Sequence, residues 1–120
     1  MKVISSKAHG VMDYIIGIAL VAAPWLFQFA RGGAETWVPV ILGIVVIVMA
    51  LFTDYELGVF KITPMSTHLW IDGVLGVFLL LSPWIFGFWG FVLWPHVIVG
   101  ILMAGVSLMT ETTTVHIRVT

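Results

Sequence analysis

Two histidines and four carboxylates stand in a chain that is otherwise poor in ionisable groups. His9 and Asp13 are four residues apart, as are His68 and Asp72. On a helix that spacing places both members of a pair on one face, one turn apart. Asp54 and Glu111 follow Gly43 and Gly100 by eleven residues each, which at about 100° per residue is within about 20° of a whole number of turns. If the glycine stripe faces the bundle axis, His9, Asp13, Asp54, His68, Asp72 and Glu111 converge near one membrane face. Carboxylates so placed share protons, pair with imidazoles or bind a cation. Two imidazoles with carboxylates on facing helices also make a ligand set that borderline divalent metals accept. The competing reading is local. Each carboxylate favours a helix end and pairs with its own histidine or with Lys7, Lys61 or Arg118 at the interface. No cofactor is expected except, on the first reading, a divalent metal ion.

The elements that carry these residues follow from composition. Of 120 residues, 61% are hydrophobic and 9% charged, with a mean hydropathy of +1.15. That leaves too few polar residues to cover a soluble globule, so a lipid bilayer is the expected surrounding. A net charge of −1 offers no basic patch for nucleic acid. Cysteine is absent, which excludes disulfides and thiolate metal sites. Lys2 and Lys7 before an apolar run resemble a secretory signal, but Asp13 interrupts the run and Pro24 directly follows the small pair Ala22 and Ala23. The segment is therefore expected to be a retained first span.

Four continuous apolar segments, 10–29, 37–52, 69–88 and 91–109, are near the minimum for crossing roughly 30 Å of hydrocarbon. Their continuity predicts helices rather than barrel strands. A glycine-containing turn at 30–36 and a tighter one at 87–90 predict two helical hairpins. Between them, 53–67 is more polar, and Ser66 or Thr67 is expected to cap the third helix.

The hairpins repeat one another. His9, Asp13, Gly17, Pro24, Trp25, Phe27 and Phe29 recur fifty-nine positions later as His68, Asp72, Gly76, Pro83, Trp84, Phe86 and Phe88. Allowing two residues for the shorter turn, Trp37, Gly43, Thr53 and Asp54 recur as Trp94, Gly100, Thr110 and Glu111. The expected architecture is an all-α integral membrane protein. A single membrane domain, 1–120, holds a first two-helix repeat at 9–54, a connecting loop at 55–67 and a second repeat at 68–111. Because each repeat has an even number of spans, the tandem hairpins are expected to be related by a pseudo-twofold axis along the membrane normal. Lys2, Lys7, Lys61 and Arg118 fall on one side against Arg31 on the other, which predicts cytoplasmic termini.

The motif Ser82-Pro83-Trp84, with its variant Ala23-Pro24-Trp25, resembles the SPW repeat family of small bacterial and archaeal membrane proteins. The resemblance spans nearly the whole chain and implies a multi-pass protein of the cytoplasmic membrane. It carries over no catalytic residues. Unit one has Ala23 where the family motif has serine.

Pro24 and Pro83 are read as helix-end residues. Trp25, Trp37, Trp84, Trp89 and Trp94 form an aromatic interface belt, or the rim of a lipid-binding pocket, at the far side. His96 is expected to cap a helix or face headgroups, or to serve that pocket. Gly17, Gly43, Gly76 and Gly100 are read as helix-packing positions. The leading functional reading is a non-enzymatic protein acting by association, as a homo-oligomer or with a membrane protein partner. The alternative is a minimal proton, ion or divalent-metal channel or carrier that uses the His/carboxylate cluster. An enzyme is disfavoured, since the chain holds no HExxH, GxSxG, P-loop or Rossmann motif.

Overall fold

Four helices account for most of residues 3–112, the part of the chain described in this computed structural model. They are α1 (Ser6–Leu26), α2 (Ala34–Leu51), α3 (Met65–Ile85) and α4 (Trp94–Met109), with two-residue strands β1 (Thr53–Asp54) and β2 (Thr63–Pro64) between α2 and α3. Lys2 and Arg118, two of the residues weighed for orientation, lie outside the described residues. Three of the helices, α1, α2 and α3, are long and apolar enough to cross a membrane; α4 is apolar but shorter, at 16 residues.

The helix ends depart from the apolar runs for local reasons. The Ser5 side chain accepts the Ala8 N–H at 3.1 Å, so α1 starts four residues ahead of its apolar run. Pro64, in extended conformation, precedes α3 without a side-chain cap. Ser66 and Thr67, the expected caps, therefore lie inside the first turn. Residue 91 belongs to a turn, with the Phe91 N–H bonded to the Phe88 carbonyl at 2.9 Å. Helix α4 begins only at Trp94, where Pro95 occupies a first-turn position that has no N–H to lose.

Within the bundle α1 packs along α2 and α3 along α4, while contact between the two pairs is thinner and runs mainly through α2 and α3. Both pairs cross at glycines. A Cβ on Gly43 would stand 2.6 Å from the Gly17 carbonyl oxygen, and one on Gly100 would stand 2.7 Å from that of Gly76. Backbones approach this closely only where side chains are missing. Leu20, Leu42, Val46, Leu79 and Met103, drawn from all four helices, form the central apolar cluster.

Pro24 and Pro83 lie inside the last turn of α1 and α3. Each removes one backbone donor, and in α3 the Ser82 hydroxyl donates to the Leu79 carbonyl at 2.7 Å, the acceptor that proline leaves without a backbone partner. In α1 the corresponding residue is Ala23, which has no hydroxyl to do this.

The opposite end of the bundle is closed by two matching backbone pairings. Thr53 pairs with Thr63 in a short parallel bridge ahead of α3, and Thr110 pairs with Ile4 in another ahead of α1. Thr53 thus follows α2 while lying beside the start of α3, and Thr110 follows α4 while lying beside the start of α1.

Candidate functional site

The two bridges set the start of α3 beside the end of α2 and the start of α1 beside the end of α4, at the same end of the bundle as the paired histidines and aspartates. His9, Asp13, His68 and Asp72 are only 1–2% exposed. Their closest contacts cross between the helix pairs. His9 Nε2 lies 2.8 Å from Asp72 Oδ2, and His68 Nε2 lies 2.6 Å from Asp13 Oδ2. Contacts within each helix are longer, at 3.1 Å for His9 to Asp13 and 3.6 Å for His68 to Asp72. The four-residue spacing put each pair on one face, as its helical geometry requires, but the nearest partner of each imidazole is the other helix's carboxylate. The two Nε2 and two carboxylate oxygens all fall within 4.8 Å of one another.

Asp54 and Glu111 do not join this group. Extending the helical register to them fails because α2 ends at Leu51 and α4 at Met109. Asp54 lies in β1 and is partly exposed, and Glu111 is exposed beyond α4. The residues just before them, Thr53 and Thr110, reach the site instead. Thr53 Oγ1 is 2.6 Å from His68 Nδ1, and Thr110 Oγ1 is 2.9 Å from His9 Nδ1.

Those contacts fix hydrogen positions. The Thr53 hydroxyl donates to the Met49 carbonyl and the Thr110 hydroxyl to the Val106 carbonyl, each at 2.6 Å. A hydroxyl carries one hydrogen, so toward the imidazoles both oxygens act as acceptors. Both Nδ1 atoms therefore carry hydrogen, and both Nε2 atoms turn inward on two carboxylate oxygens. Such an arrangement is chemically consistent in three ways. Each Nε2 is protonated and donates to a carboxylate, or accepts from a protonated carboxyl, or presents a lone pair to a cation that the carboxylates also face. The sequence signal for the threonines was their recurrence at matching positions, which states no role by itself.

Tyr55, just after β1, covers the site from one side. It is fully buried with Met65 and Leu69 beneath it, and its ring lies 6.1 Å from that of His68. Gly10 makes the room: a Cβ there would come within 2.3 Å of the Tyr55 ring. Burial pushes the Tyr55 hydroxyl well above the ordinary tyrosine range, so it stays protonated. Two buried polar atoms here have no hydrogen-bond partner among the described residues, the Tyr55 hydroxyl and Asp72 Oδ1.

At the other end of the bundle the tryptophans and His96 separate. Trp25, Trp37, Trp84, Trp89 and Trp94 are all exposed, at 48–65%. His96 is not at a headgroup surface. It is 1% exposed, its ring lies between those of Phe29 and Phe88, and its Nε2–H donates to the Glu35 carbonyl at 3.0 Å. An apolar cavity of about 310 Å³ adjoins it, lined by Leu20, Phe27, Phe29 and Trp94 among others. The 30–36 turn is held by more than its glycines. Thr36 Oγ1 accepts from the Arg31 and Gly32 backbones and donates to the Glu35 carboxylate at 2.5 Å.

The family model described as the SPW repeat domain matches residues 7–110, which includes both helix pairs, the four ring residues and both threonines. Comparison with curated proteins and with solved structures gives no match.

Proposed function

The chain belongs to the SPW repeat family, and from that premise we propose that it is a four-span membrane protein that handles a cation at a His/Asp centre between two tandem hairpins. The single observation carrying this reading is the crossed quartet, buried inside apolar helices. Ionisable groups within spans are costly and mark ion paths or sites more often than simple packing. A clasp alone is achieved as well by apolar side chains, since replacing a buried ion pair with packed hydrophobes is often neutral or stabilising.

The fourth span rests on α4 with the residues ahead of it. Sixteen helical residues rise about 24 Å, short of a typical hydrocarbon core by an amount that flanking residues or local thinning absorb. The pseudo-twofold relation is supported by the matched glycine crossings, the matched threonine bridges and the crossed His/Asp pairs. The quartet end is assigned to the cytoplasmic side of a bacterial or archaeal inner membrane. Lys7 and Lys61 are at that end, and Arg31, stacked over Phe91, is at the other. The exposed tryptophans then form the belt at the outer interface.

The experiment is cation flux, of protons and of divalent ions, into proteoliposomes containing the parent chain or the Asp13→Asn/Asp72→Asn variant. Flux in the parent that is lost in a folded variant is the expected result. Equal flux in both, or none in the parent, removes the reading.

Association is the second reading, favoured by an open groove of about 570 Å³ along α3 and α4. Gly73, Val77, Ala104 and Leu108 line it, with Trp70, 74% exposed, at its edge. Crosslinking in native membranes is its test, and a strictly monomeric chain without partners counts against it.

A further inference from the structure

Resting on the cation-site reading, we propose that the quartet is a four-coordinate site for one divalent first-row transition metal, zinc being the best match, with ligands His9, Asp13, His68 and Asp72.

Donor direction is the first argument. Each threonine hydroxyl spends its hydrogen on a helix carbonyl and takes the Nδ1–H of an imidazole. This is the outer hydrogen bond that fixes the tautomer and aims Nε2 in metal-binding histidines. Two helix ends, α2 and α4, supply it in the same way.

Size is the second. The four Nε2-to-Oδ2 separations are 2.8, 3.1, 2.6 and 3.6 Å. Ligands at roughly 2.0–2.2 Å around a tetrahedral zinc stand about 3.3–3.6 Å apart, so the ring holds the ion once it opens by roughly half an ångström along its two shortest sides, His9 to Asp72 and His68 to Asp13. Calcium needs six to eight oxygens at longer range, and magnesium keeps near-octahedral oxygen ligands and several waters, so a dry set with two imidazoles suits neither.

Charge and orphaned atoms make the third. Two carboxylates, two neutral imidazoles and one divalent cation sum to zero, which a low-dielectric interior requires. Asp72 turns only Oδ2 to the imidazoles and leaves Oδ1 buried without a partner. A buried carboxylate oxygen left so loses its solvation with nothing in return, whereas a metal ion held by the same carboxylate compensates its charge directly.

The protein purified in detergent without chelators is to be analysed for metals by inductively coupled plasma mass spectrometry, then stripped and titrated with Zn²⁺ and Co²⁺. One metal per chain is expected, and the Co²⁺ form should show the intense visible bands of a tetrahedral site. Asp13→Asn/Asp72→Asn should abolish binding at a temperature where circular dichroism shows the destabilised variant still folded. Thr53→Val with Thr110→Val should weaken affinity about 10–100-fold, and the Thr→Ser pair should restore it. A parent that contains no metal and takes up none overturns the metal site, as does binding that survives the double Asn variant. If metal binding fails while Asn-sensitive proton flux persists, the metal assignment falls and the wider cation reading stands. Failure of both removes both.

Discussion

The pair α1–α2 and the pair α3–α4 agree at their crossings and at the ring, and differ around them. Gly17 against Gly43 is matched by Gly76 against Gly100, and His9 and Asp13 by His68 and Asp72. Around this frame, Ala23 stands where Ser82 does, Gly10 where Leu69 does, and Tyr14 where Gly73 does. Tyr14 donates to the Leu57 carbonyl at 3.0 Å and helps hold the loop that carries Tyr55. The second pair has no such cover among the described residues, and its flank is the open groove. What both pairs possess serves backbone approach and the shared ring. What only one possesses closes a surface or repairs a helix.

That division predicts which substitutions act equally in both pairs. The largest effect belongs to the ring. Removing one charge from a buried pair typically costs about 3–5 kcal/mol, so Asp13→Asn and Asp72→Asn should lower thermal stability in detergent to similar extents. A mild effect from either one would show that the two halves of the ring are not equivalent.

Crossings come next. Gly43→Val and Gly100→Val force a side chain against backbone, and overpacking of this sort costs about 1–3 kcal/mol. Both should shift the melting midpoint downward by comparable amounts. Disulfide trapping across α1 and α2, or across α3 and α4, would report whether each pair has separated.

The smallest effect tests the difference rather than the likeness. Ser82→Ala removes one hydroxyl-to-carbonyl bond and should cost about 0.5–1.5 kcal/mol. Ala23→Ser, supplying the hydroxyl missing ahead of Pro24, should change stability in the opposite direction. If Ser82→Ala has no effect, the serine does not compensate its proline.

Much of this arrangement is legible in the sequence, because repetition and apolar runs are one-dimensional signals. The fifty-nine-residue recurrence picks out both His/Asp pairs, and the repeated glycines point to helix packing. Legibility ends where helices end. The helical register carries Asp54 and Glu111 to the ring, yet the chain leaves α2 and α4 before reaching them and turns into short bridges. The side chains that arrive at the ring are Thr53 and Thr110, whose role depends on a carbonyl four residues back and an imidazole on another helix. Crossed pairing is equally invisible, since the four-residue spacing suggests a partner in the same helix. His96 shows a third limit. Beside Pro95 at a helix start it looks like an interface residue, and only the packing of Phe29, Phe88 and the Glu35 carbonyl around it makes it buried.

Zinc K-edge X-ray absorption on the purified protein tests the metal ring most directly. A shell of about four nitrogen and oxygen atoms at about 2.0 Å, with outer scattering from two imidazoles and no sulfur, is the expected spectrum. A zinc-free protein, or a shell of about six oxygens without imidazole scattering, would contradict a metal centre built from His9, Asp13, His68 and Asp72.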